Sequence, residues 1–90
     1  MTKRSVNYIE KLQENVTINH LKKMQSDLLI KKHELEKIEF DLANILEFST
    51  PLLQFLISVK KFSEKHQIRF EVCNIPFSGE DMLKLYNLEL

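Results

Sequence analysis

Between Ile38 and Val72 the hydrophobic period of the chain changes from two to about 3.6 and back, and this switch constrains the fold more than any other feature. Ile38, Phe40 and Leu42 alternate with Lys37, Glu39 and Asp41, which gives a strand one apolar and one polar face. Next, Leu52, Phe55, Leu56, Val59 and Phe62 keep to one side of a cylinder while Lys60, Lys61 and Glu64 occupy another, as in an amphipathic helix. Ile68, Phe70 and Val72 then alternate with Arg69, Glu71 and Cys73 in a further strand, which Asn74 and Pro76 terminate. Strands separated by a helix imply a mainly parallel or mixed sheet with right-handed crossovers.

The remaining segments extend this frame. Val6 and Tyr8, followed by Leu12, predict a first strand, and the β-branched run Val16-Thr17-Ile18 after the turn at Glu14-Asn15 predicts a short second one. From Asn19 onward Leu21, Met24 and Leu28 fall at helical spacing, with Thr17 or Asn19 as the cap. Lys31 to Leu35 reads as a polar connector. At Ser49-Thr50-Pro51, proline suits the first helical position and Thr50 the cap before it, and the cations of Lys65-His66 suit the end of that helix. Phe48, just ahead, is placed to staple the helix start or to project from it. Ser78-Gly79-Glu80-Asp81 resembles a capping box for a final helix carrying Met82, Leu83, Leu85 and Tyr86. The expected order is β-β-α-β-α-β-α: one α/β domain over residues 1–90, with a mixed or mainly parallel four-stranded sheet and packed helices. Ninety residues leave room for a single small core.

Composition excludes several functions. Thirteen basic and thirteen acidic side chains balance, so no global field draws the chain to nucleic acid or to an anionic membrane. Lys22, Lys23, Lys31 and Lys32 lack interleaved aromatics and read as a solvated helix face. The longest apolar-rich stretch, 51–59, is interrupted by Gln54 and Ser58 and is far shorter than a membrane-spanning helix. Asn7, Glu10, Lys11 and Gln13 interrupt what would be the apolar part of an export signal. One cysteine, Cys73, fits a reducing cytoplasm, and no base stands near it in sequence to make it a nucleophile. The single glycine, Gly79, is too few for a phosphate-cradling loop. His20, His33 and His66 have no companion ligand at metal-site spacing, and the carboxylates form no recognisable acid/base pair. No catalytic residue, metal or cofactor is expected.

From Ile38 to Leu90 the chain resembles the STAS domain, a small α/β module found in anti-sigma-factor antagonists and transporter-associated regulators. Ile38-Glu39-Phe40-Asp41-Leu42 is similar to the family's central strand, and Ser49-Thr50-Pro51-Leu52-Leu53 stands where many members carry Asp-Ser-Ser-Gly-Leu. Gln67, between the helix end and Ile68-Arg69-Phe70, occupies a position commonly glycine in the family. The ending Leu83-Lys84-Leu85-Tyr86-Asn87-Leu88 most resembles the STAS subunits of phospholipid-trafficking ABC transporters. The resemblance implies a non-catalytic cytoplasmic module that docks on a partner through Phe48, Ser49, Thr50, Leu53 and Gln54. The partner implied is an ABC-transporter ATPase or, as the alternative, a sigma-regulating kinase. Pro51 occupies the place of the serine that such kinases phosphorylate, so modification would be confined to Thr50 or Ser49. The resemblance leaves the oligomeric state open.

Overall fold

A computed structural model describes residues 6–14, 16–88 and 90. The charged opening residues 1–5 and Asn15 of the turn lie outside them. The elements are β1 (Val6–Lys11), α1 (Ile18–Lys31), β2 (Leu35–Asp41), α2 (Thr50–Lys65), β3 (Arg69–Cys73) and α3 (Phe77–Leu85). The sheet has three strands in the order β1-β2-β3, and both pairings are parallel.

The fold is therefore α/β with a parallel sheet, and the expected four strands become three. Val16-Thr17-Ile18 is not a strand. Thr17 takes an extended backbone and caps α1, accepting a hydrogen bond from the His20 backbone N–H at 3.2 Å, while His20 Nδ1 accepts one from the Thr17 N–H. The trio's β propensity yields to a capping box at the start of a 14-residue helix. The connector expected at 31–35 also shortens, because Leu35 is fully buried and opens β2.

Each crossover moves one place along the sheet in the same direction, so right-handed connections put α1 and α2 on the same face. The parallel register aligns Tyr8, Ile38 and Phe70 across that face, and next to them Glu10, Phe40 and Val72. Phe40 is completely buried at the centre. Its ring meets Phe55 of α2 edge-on with centroids 5.3 Å apart, and Tyr8 and Phe70 flank it at 6.3 Å. Leu21, Met24 and Leu28 of α1 and Leu52, Leu56 and Val59 of α2 pack into the same core, which Leu12, Leu42, Ile45 and Phe48 extend into the loops and Leu83 into α3.

The opposite face of the sheet is polar. Lys37 bridges Glu39 and Glu71, its Nζ lying 3.1 Å from a carboxylate oxygen of each. Parallel sheets are usually covered on both faces and read as continuous apolar runs. Here alternation from Lys37 to Asp41 in β2 and along β3 leaves one face in water, and Leu35, beyond the register shift at Val6/Asn7, is the buried residue of β2 that breaks the period.

Helix ends follow local rules. Gln67 adopts a left-handed conformation (φ 57°), with Ile68 N–H donating to Ser63 O and Gln67 N–H to Glu64 O, a Schellman termination of α2. Asn87 (φ 55°) ends α3 the same way, through Leu88 N–H to Leu83 O and Asn87 N–H to Lys84 O.

Candidate functional site

In open α/β sheets, functional surfaces form at the carboxyl ends of the strands, where the βα loops gather. Three such loops meet here and hydrogen bonds tie them together. Asn44 Nδ2 donates to Gln13 Oε1 at 3.2 Å, and the Leu46 N–H donates to a Glu14 carboxylate oxygen, so the second loop is held against the first. Asp41 Oδ1 accepts from Asn74 Nδ2 and from the Ala43 N–H, both at 2.9 Å, which joins the second loop to the third. These donors, Asn74 before Ala43, hold the Asp41 carboxyl below the usual carboxylate range. Asn74 reaches that position from a left-handed backbone (φ 56°), which asparagine tolerates well.

The start of α2 rises from this platform. Its cap is Ser49 rather than Thr50: Ser49 Oγ accepts the Leu52 N–H at 3.2 Å, Thr50 is the first helical residue and Pro51 the second. The one-residue shift costs proline nothing, since its missing N–H falls within the first turn, where no helical acceptor exists. It leaves the Thr50 side chain exposed.

The predicted contact residues divide into two layers. Ser49, Thr50 and Gln54 are exposed, whereas Phe48 and Leu53 are only 5% and 4% exposed. The last two occupy the positions before the cap and one turn into the helix, the places of a hydrophobic staple. The expectation that they touch a partner is corrected: both support the surface from beneath. Phe48 is held further by its backbone N–H, which donates to Ser78 Oγ at 3.1 Å. That use of Ser78 replaces its expected role as a cap, because α3 begins two residues earlier, with Pro76 at its N-cap and no side-chain cap bond.

Two exposed apolar side chains that periodicity does not single out border the helix start. Leu46, in the second loop, is 77% exposed, and Phe77, next to Ser78, is 86% exposed. Leu46 lies in the loop before α2 and Phe77 opens α3, and neither belongs to a core stripe, so no periodic signal marked them in sequence. Ser49, Thr50 and Gln54 add exposed hydroxyl and amide groups at the helix start itself.

Elsewhere, chemistry is sparse. Burial pushes the Cys73 thiol up, and the Asp41 and Glu39 carboxylates push it further, so it remains protonated and a poor nucleophile at neutral pH. An open cavity of about 320 Å³ at the β1 edge is lined by Tyr8, Glu10, His20, Lys23 and Asp27. Burial, with the charges of Glu10 and Asp27, keeps the Tyr8 phenol protonated as well. Among the described residues no three His, Cys, Asp or Glu side chains converge as metal ligands do, and no helix is long and apolar enough to cross a membrane.

Fold and site together define a singly wound parallel α/β module whose tied loops present the start of its second helix. The chain matches no family model, no curated protein and no solved structure.

Proposed function

We propose that the chain is a non-catalytic, cytoplasmic interaction module of the STAS type that docks on a partner protein through the start of α2. Support comes from one observation: Ser49, Thr50 and Gln54 stand exposed on a loop platform fixed by side-chain hydrogen bonds, bordered by the exposed apolar Leu46 and Phe77. A platform whose loops are already ordered loses little conformational entropy on binding, and its stranded apolar groups gain from leaving water. The proposed partner is the ATPase subunit of an ABC transporter, in keeping with the resemblance of residues 83–88. Pro51 weighs against a switch kinase, since the second position of the helix carries no hydroxyl to receive phosphate.

Recovery of bound proteins from the native cell, with mass-spectrometric identification and parallel thermal melting, tests the reading. Wild type is expected to retain an ABC ATPase. Thr50→Asp should fold normally, because a carboxylate is favoured at a helix N-terminus, yet lose that partner by bringing an unpaired charge into the contact. Undiminished recovery by a well-folded Thr50→Asp would remove the start of α2 as the docking surface.

A further inference from the structure

The helix layer carries a second surface that the α2 start does not account for. Between α1 and α2 runs a groove made of two continuous depressions, of about 300 Å³ toward the helix starts and about 270 Å³ toward their ends, which share Gln25 and Ser58 at the middle. Its floor is apolar, formed by Leu21 and Leu28 from α1 and Phe55 and Val59 from α2, all buried. Ile18 and Leu29, each 55% exposed, stand on its α1 side near the two ends. Ser58, exposed and small, lets another backbone approach closely at the centre.

Charge along the groove has one sign. Lys22 lines it directly. Lys32 lies seven residues past Gln25, and its right-handed helical backbone at the end of α1 keeps it on the same face. On α2, Lys61 and Lys65 follow Ser58 at the i+3 and i+7 positions, again on the groove face. Among the described residues none of these four lysines is paired with a carboxylate. The acidic residues of the two helices, Asp27 and Glu64, fall outside both stripes, and Asp27 lines the cavity on the far side of α1.

We infer that this groove receives an amphipathic helix of a partner protein, one with an apolar stripe flanked by glutamate or aspartate. Ile18 to Leu29 spans roughly 17 Å along α1 at about 1.5 Å per residue, room for about three turns of a docked helix. Concavity selects a helix over a lipid surface, because the buried floor is reached by a protruding ridge of side chains and a bilayer presents none. The lysine rims select the acidic flanks, as complementary charge steers encounter and sets orientation. This inference does not depend on the docking reading of the α2 start, although Gln54 borders both surfaces.

The probes are displayed 18-residue helical peptides with a constant leucine stripe and flanking positions drawn from glutamate, lysine and glutamine, selected against the intact chain. Glutamate at the flanks should be enriched, and a glutamate-flanked peptide should bind about tenfold tighter than its lysine-flanked counterpart at low salt, with the difference shrinking as salt rises. Joint Lys22→Glu and Lys61→Glu substitution should invert the preference, and Ser58→Trp, which fills the groove centre without adding charge, should abolish binding at an unchanged melting temperature. No enrichment of glutamate, or full binding by a well-folded Ser58→Trp, overturns the inference. So does binding to phosphatidylglycerol vesicles that is lost on lysine reversal but kept in Ser58→Trp, which would make the surface a membrane contact. These readouts use neither Thr50 nor the ATPase, so their failure is separable from failure of the docking proposal.

Discussion

Ser49 and Thr50 are adjacent hydroxyl residues with different work to do. The Ser49 side chain satisfies the Leu52 N–H, one of the donors that the first turn of a helix leaves without an intrahelical acceptor, whereas the Thr50 side chain points into solvent as the first helical residue. Ser49→Ala should therefore lower stability by about 0.5–2 kcal/mol, while Thr50→Ala should change it by less than about 0.5 kcal/mol. Urea unfolding of the two variants beside wild type checks this, and equal losses would show that the hydroxyls share the cap. Sequence identified the helix start to within one residue but assigned the cap to Thr50. Both residues are good caps, and only the backbone path into the helix distinguishes them.

At the scale of elements, α3 is positioned by what it lacks. Gly79 is buried against Phe48, and a Cβ there would sit 2.6 Å from Phe48 Cδ2 and 3.0 Å from Ile75 Cγ2. The Phe48 ring is itself buried and anchored through its own backbone N–H to Ser78, so it has little freedom to retreat. Gly79→Ala gains helix propensity worth up to about 1 kcal/mol, against an overpacking cost of about 1–3 kcal/mol. A net loss of stability is expected, accompanied by altered near-ultraviolet or NMR signals of Phe48; a variant more stable than wild type would mean that α3 shifts away at no cost. Sequence showed Gly79 as part of a capping pattern, which the structure does not form, since α3 has no side-chain cap bond. Its role as a contact point between α3 and the loop before α2 follows from a neighbour 31 positions away, which no local pattern contains.

For the whole molecule, the three βα loops share a buried core through Leu12, Leu42, Ile45 and Phe48, with Val16 and Ile75 packed against it, and polar side chains join them further, Asp41 being the joint between two of them. Its folded carboxyl titrates below the ordinary range because Asn74 and Ala43 donate to the ionised form. A depressed folded value means that this contribution to stability is complete above the unfolded value of about 4 and is lost as pH falls through the folded value. Urea midpoints measured from pH 7 to pH 3 should fall on the acid side, and Asp41→Asn, which keeps an oxygen to accept the Ala43 N–H, should show a shallower acid fall. An identical acid fall in both proteins would place the acid-labile contacts elsewhere.

What the sequence determined by itself is the set of elements in which one physical signal dominates. β2, α2 and β3 were legible because each buries one face against one layer, and a single buried face imposes a clean period of two or 3.6. Alternation was compatible with helices on one or both faces of the sheet, and the tertiary structure put α1 and α2 on one, with Glu39 and Glu71 among the positions on the other. Tertiary structure decided the cases where two local signals compete. Val16-Thr17-Ile18 has the composition of a strand and the hydroxyl of a cap, and the cap prevailed because a 14-residue helix packed on Phe40's face outweighs three residues of β propensity. Ser78 could cap its own helix or bond to Phe48, and the distant partner took it. The surface at the start of α2 was visible as residue types, but its two layers, Phe48 and Leu53 below and Ser49, Thr50, Gln54, Leu46 and Phe77 above, arise only when three loops are folded against one another. The groove between α1 and α2 is likewise tertiary: Lys22, Lys32, Lys61 and Lys65 read as ordinary solvated charges until parallel crossovers set two helices side by side on one face of the sheet.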